Sequence, residues 1–260
     1  MIVQVGENAA SGVYIRNKVK ACAQTGIPCE HVQLPADVDQ GVLNARLEEI
    51  SSSPASGIIL QLPLPAHLDA DLAMEHLDPR KDVDGFHPDN LGRLVAGRPY
   101  LVPCTPAGIR ELLAREAIDT RGRHVVVLGR SLIVGKPAAL LFLEKSALGD
   151  ATVTVCHSAS RDLAEHCRRA DILIAAVGRA GLVTAGMVKE GVVVVDVGMN
   201  RVLDPAAKSG ARWAGDCDFA GIAPKAAAIT PVPGGVGPMT VAMLLANTLR
   251  AHATLSGREA

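Results

Sequence analysis

The sequence predicts an α/β protein of two domains: an N-terminal α/β domain and a second, Rossmann-like domain with a parallel sheet. Three observations predict it. Strand-like and helix-like segments alternate along most of the 260 residues. The strand-like segments are near-continuous runs of Val, Ile and Leu, as expected of strands covered on both faces by helices. A polar stretch near residue 121 separates one alternation from the next, and a chain of this length holds one large domain or two of ordinary size.

In chain order, IVQV (2–5) reads as a strand. AASGVYIRNKVKACAQT (9–25) reads as a helix stopped by Gly26, and 41–52 as another. GIILQL, bounded by Gly57 and Pro63, has the length and β-branched content of a buried strand. TPAGIRELLARE opens on Thr105 with Pro106 next, a capped helix start. The second alternation runs through strand HVVVLG (124–129), a helix over 135–147, strand TVTV (152–155) and a helix over 160–169. Strands DILIAAVG (171–178) and GVVVVDVG (191–198) follow, and a last helix, MTVAMLLANTLRAHA, comes after a Gly/Pro loop. The domains are placed at 1–121 with 239–260, and at 122–238.

Composition narrows the function. Hydrophobic residues make up 48% and charged residues 20%, a soluble globular balance. A net charge of -1 without a long Lys/Arg run argues against nucleic acid or an anionic membrane surface as partner. No signal peptide and no apolar stretch of spanning length is visible. The six cysteines are scattered without a C-x-x-C pair, which fits free thiols in a cytoplasmic protein and argues against a metal site.

VVVLGRSLIVGKP sets Gly129 at the end of a strand and Gly135 near a helix start, where a tight turn and free N–H groups suit a phosphate. The spacing is G-x-S-x-x-x-G, which by itself also fits any tight β-α turn. The next strand adds weight: no acid follows it at Cys156, His157 or Ser158, while Arg130 stands in the turn. A basic residue and a hydroxyl suit a 2′-phosphate, so NADP is expected rather than NAD. His157 and Ser158 would equally serve as caps for the helix that follows.

Tyr14 and Lys18 are four apart on the first helix and share a face. An exposed lysine beside a half-buried tyrosine is the ordinary reading of that pair. Gln61 is a polar residue in an apolar strand ended by LPLP, so it either meets a polar site at the strand's carboxyl end or reaches solvent. KDVDGFHP (81–88) alternates three charges and then breaks at Gly85, a pattern that serves neither helix nor half-buried strand. PVPGGVGPMT (231–240) packs three prolines and three glycines into 231–238, a fixed but open loop that a flat ligand can approach.

Together, ASGVYIRNK, QLPLP, KDVDGFHPDNLG, PCTPAGI, GRSLIVGKP, ATVTVCHS and PVPGGVGPMT resemble, in order and over essentially the whole chain, the bifunctional methylenetetrahydrofolate dehydrogenase/methenyltetrahydrofolate cyclohydrolase (FolD) family. The resemblance implies a folate substrate bound between two α/β domains, NADP on the second, a homodimer through the cofactor domain, and no metal. It implies that Lys18 is the catalytic lysine, that Tyr14 packs on the pterin, that Gln61 tunes Lys18 and that Asp84 fixes the amino-pyrimidine edge. Gly129, Arg130, Ser131 and Ser158 would hold the cofactor, Met199 would line it, and Gly237 and Thr240 would sit where nicotinamide and folate meet. One departure is that Met1 begins inside the first strand, where family members carry a further segment with a first helix. No motif residue falls in that segment. A monofunctional NADP-dependent dehydrogenase and a non-catalytic nucleotide-binding module are the rival readings; intact Tyr14, Lys18 and Gln61 argue against the first.

Overall fold

The structure, a computed structural model, describes residues 1–205, 207 and 210–258, with backbone alone at 9–11 and 13. The chain divides into two compact units, Met1–Cys104 with Val241–Ala260, and Thr105–Thr240.

The first unit holds β1 (Ile2–Val5), α1 (Ala9–Gln24), β2 (His31–Leu34), α2 (Gln40–Ser52), β3 (Ile59–Leu60), α3 (Ala70–Met74) and α4 (Pro88–Val95). Its strands pair in parallel in the order β2-β1-β3. The apolar run of β1 is buried throughout. Strand β2 alternates exposed and half-buried residues and lies at the sheet edge. Beyond β3 the chain returns as a single bridge, Ile58 against Asp82: Ile58 N donates to Lys81 O (2.7 Å) and Val83 N donates to Ile58 O (3.2 Å). KDVDGFHP therefore begins as a strand edge and then turns away at Gly85, whose φ is +77°. A Cβ there would lie 2.6 Å from Pro103 N, so only glycine fits.

The second unit begins with α5 (Cys104–Arg115), then β4 (His124–Leu128), α6 (Gly135–Leu143), β5 (Thr152–Cys156), α7 (Leu163–Arg169), β6 (Ile172–Ala175) and β7 (Val193–Asp196). A hairpin of β8 (Asn200–Leu203) and β9 (Ala211–Ala214) follows, then α8 (Phe219–Ile222), β10 (Ala228–Ile229) and the start of α9 (Val236–Leu255), which from Val241 onward belongs to the first unit. The main sheet is all parallel in the order β10-β7-β6-β4-β5. Its two faces are separate cores. Val126, Leu128, Leu173 and Val194 pack on one side; Val125, Val127, Ile174 and Val195 pack on the other with Ile109 and Leu113 of α5. That packing puts α5 with the second unit, whereas the sequence reading set the break after it, near residue 121.

Helix bounds differ from expectation by more than one residue at three places. Helix α9 starts at Val236 rather than 239, because Pro238 and Gly237 are tolerated in a first turn. Helix α7 starts at Leu163 rather than 160: His157 N donates to Ser160 Oγ (2.9 Å), closing a turn ahead of it. Helix α6 ends at Leu143 rather than 147, where Glu144 turns extended and its carbonyl accepts from Asp150 N (2.8 Å).

Candidate active site

Three segments of the first unit meet at Lys18. Helix α1 carries it, the end of β3 carries Gln61, and the turn after the Ile58–Asp82 bridge carries Asp84. Lys18 Nζ lies 3.2 Å from Asp84 Oδ2 and 3.5 Å from Gln61 Oε1. Gln61 Nε2 donates to Leu62 O (2.8 Å), which leaves its carbonyl oxygen turned to the lysine. The side chains of Lys18 and Asp84 are each only 12% exposed, while Tyr14, one helical turn earlier, is 42% exposed. This inverts the ordinary reading of Y-x-x-x-K, in which the lysine is the exposed partner. Asp84 Oδ1 takes no hydrogen bond from the described residues. The cluster thus offers an ammonium, an amide oxygen, a free carboxylate oxygen and an open aromatic face.

The charges of KDVDGFHP divide their work. Lys81 Nζ donates to Ser51 O and Ser53 O, both at 2.7 Å, and so closes the carboxyl end of α2. Asp82 is 1% exposed; it accepts from His87 N (2.7 Å), Gly85 N (3.2 Å) and Asn90 Nδ2 (3.3 Å). It is the clamp that shapes the turn carrying Asp84. Burial, with a smaller push from Asp84, raises the Asp82 carboxyl to about 6.

Sequence reasoning missed two contributors. The Lys18–Asp84 ion pair joins residues 66 apart, which no local spacing reveals. Asn247, 3% exposed in α9, donates from Nδ2 to Val83 O and Val102 O, both at 2.9 Å, and braces the backbone beside Asp84. A lone amide in the apolar run MTVAMLLANTL was the available signal.

In the second unit, Gly129 (φ +113°) ends β4 and Gly135 begins α6. A Cβ on Gly135 would run into the Gly129 carbonyl, and one on Gly129 into the Ala176 carbonyl, so both glycines are needed for the close approach of helix, turn and sheet. Ser131 Oγ accepts from Val134 N (3.2 Å) and Gly135 N (3.4 Å), holding the turn. The backbone N–H groups of Arg130, Ser131, Leu132 and Ile133 make no hydrogen bond among the described residues. Four free donors ahead of a helix N-terminus fit a dinucleotide phosphate. Arg130 and Ser158 are exposed, and no acid stands beyond β5 at 156–158. Gly129 N donates to Cys156 O (2.8 Å), tying the turn to the strand that precedes Ser158. Met199, beyond β7, is 40% exposed. Gly237 and Thr240 lie in the first turns of α9, with open space beside Gly237; Thr240 Oγ1 is 3.0 Å from Thr105 Oγ1.

Among the described residues no group of three or more His, Cys, Asp or Glu is arranged to hold a metal, and no helix is long and apolar enough to cross a membrane.

The chain matches two family models: the catalytic domain of tetrahydrofolate dehydrogenase/cyclohydrolase over residues 1–84 and its NAD(P)-binding domain over residues 103–256. A relative named bifunctional protein FolD in Chlorobium limicola is 53% identical over 96% of this chain and 85% of its own length. The FolD methylenetetrahydrofolate dehydrogenase/cyclohydrolase of Campylobacter jejuni has a similar crystal structure, with a TM-score of 0.91 and 44% identity over 98% of this chain and 87% of that one. The Trypanosoma brucei FolD, solved with NADP cofactor and an inhibitor, also gives a TM-score of 0.91, with 42% identity over 99% of this chain and 87% of that one.

Proposed function

The chain belongs to the tetrahydrofolate dehydrogenase/cyclohydrolase family, and from that premise we propose that it oxidises 5,10-methylenetetrahydrofolate with NADP and hydrolyses the methenyl product to 10-formyltetrahydrofolate. The observation that carries the reading of its chemistry is the convergence of Lys18, Gln61 and Asp84 from three separated segments into one part-buried cluster.

When bound, NADP would supply the hydride acceptor; the 129–131 turn would hold it, Arg130 and Ser158 would meet its 2′-phosphate, and Met199, Gly237 and Thr240 would line it. Oxidation asks of the protein mainly position. Asp84 Oδ1 accepts from the amino-pyrimidine edge of the pterin, as a carboxylate does well, while Oδ2 stays with Lys18. Tyr14 offers its exposed ring to the pterin face. Hydrolysis asks for a proton acceptor, because the attacking water must lose a proton. Lys18 takes that role. Gln61 keeps an oxygen on Nζ and so holds the nitrogen in place. The folate unit is proposed to be Met1–Cys104 with Val241–Ala260 and the cofactor unit Thr105–Thr240. The resemblance further supports a homodimer in the cytoplasm, in accord with six cysteines that are all free thiols.

The test is to supply methylenetetrahydrofolate and NADP to the purified chain and follow NADPH, then to supply the methenyl compound alone and follow its loss. Both activities are expected. NADPH formation without hydrolysis would make the chain a dehydrogenase only, and neither activity would leave a binding module.

A further inference from the structure

Two carboxylates outside the residues assigned above are buried in the second unit. Asp196, 3% exposed, is the last residue of β7, and Asp216, fully buried, follows β9. Their partners are backbone N–H groups and one amide. Asp216 Oδ2 accepts from Val177 N (2.6 Å) and Gly178 N (3.0 Å), and its Oδ1 from Arg179 N (2.9 Å) and Asn200 Nδ2 (2.9 Å). Asp196 in turn accepts from Asp216 N (2.8 Å), Cys217 N (2.9 Å) and Gly198 N (2.9 Å), and its own N–H donates to Thr230 Oγ1 (2.8 Å). The two interlock without spare room: a Cβ on Gly198 would strike the Asp216 carboxylate, and one on Gly215 the Asp196 carboxylate.

The segments so gathered leave the carboxyl ends of β6, β7 and β10, the end of a parallel sheet at which ligands bind. Residues 177–179 continue directly from β6, the neighbour of β4 in the sheet. Ala176 N donates to Leu128 O (2.8 Å), and the Ala176 carbonyl lies against Gly129 where a Cβ would be. The backbone that Asp216 holds is therefore continuous with the surface against which the phosphate turn folds. Four donors converge on one carboxylate. An amide cannot replace it, since its NH2 would face two of them.

We propose that Asp216, held by Asp196, is a positioning residue for the dinucleotide: it sets the 177–179 turn, and through Ala176 the Gly129 turn, in the form that binds NADP. This rests on the cofactor reading given above.

The test compares Asp216→Asn with the parent protein by calorimetric titration of NADP and by both activities. The variant is expected to bind NADP about tenfold more weakly or worse, since hydrogen bonds to a charged group are lost and an NH2 group faces two donors in their place. The KM for NADP should rise to match, with kcat and hydrolysis of the methenyl compound within about twofold of the parent. NADP affinity equal to the parent's in a variant that still hydrolyses overturns the proposal. If Asp216→Asn loses hydrolysis as well, Asn200→Ala decides. It removes one of the four donors and is expected to weaken NADP about threefold; unchanged affinity there overturns the proposal. A parent protein that does not bind NADP would instead sink the cofactor reading.

Discussion

Replacing Asp84 with Asn changes few atoms and tests much. The side chain keeps its shape, but one acceptor oxygen becomes an NH2 group. In the protein, Asp84 Oδ2 pairs with Lys18 Nζ at 3.2 Å in a setting where both side chains are 12% exposed, and Oδ1 is left for the ligand. At an effective dielectric of about 20, two charges at that distance attract by roughly 5 kcal/mol, most of it offset by desolvation. The ligand term is the smaller and cleaner one. Losing a charge-assisted bond from the pterin, and turning an N–H towards the ligand's own N–H, should cost roughly 2–4 kcal/mol of folate binding. That is roughly 30- to 1,000-fold in Kd. The assay titrates folate and NADP separately into Asp84→Asn and the parent. NADP binding should be nearly unchanged, because Gly129, Arg130, Ser131 and Ser158 belong to the other unit. Folate affinity equal to the parent's would refute the reasoning and reduce KDVDGFHP to a turn shaped by Asp82.

Arg130→Ala should weaken NADP by about tenfold or more while leaving NAD nearly untouched, since the lost bond is to the 2′-phosphate; equal losses for both cofactors would show that Arg130 does not read that phosphate. Asp82 gives a pH signature. Its carboxyl titrates near 6 in the folded chain against an ordinary value of 3.8, so the folded state binds the extra proton between those values. Stability from this group is then present below about pH 4 and declines by about 3 kcal/mol at most as pH rises to about 6. Denaturant titrations of the parent and Asp82→Asn from pH 4 to 7 should differ in slope over that window, and parallel curves would contradict the assignment.

What could be read in the sequence follows the physics of each element. The Val- and Ile-rich strands β4, β6 and β7 are buried on both faces, and an apolar run announces that directly. Helices α1 and α2 were found within a residue of their ends. The edge strand β2, the five-residue α3, the eight-residue α4, the β8–β9 hairpin and two-residue β10 were not identified, because short or half-exposed segments lack a period long enough to register. In the site, Gln61 could be singled out because it interrupts an apolar strand, whereas Lys18 was marked only by its spacing from Tyr14 and by the family resemblance. The pairing of Lys18 with Asp84 and the brace from Asn247 join residues far apart in the chain, and the clamp at Asp82, though its partners are three to eight residues away, depends on a fold of the turn that no periodic pattern announces.

The central claim is that one cluster serves two reactions with different demands, and Lys18→Met separates them. Methionine keeps length and apolar stem but has no proton to take or give. With the methenyl compound saturating, hydrolysis should fall by at least about 100-fold, the usual scale of lost acid–base catalysis. With methylenetetrahydrofolate and NADP both saturating, NADPH formation should stay within about tenfold of the parent, because that step depends on position. A full hydrolytic rate, or two activities falling in parallel at saturation, would contradict the account.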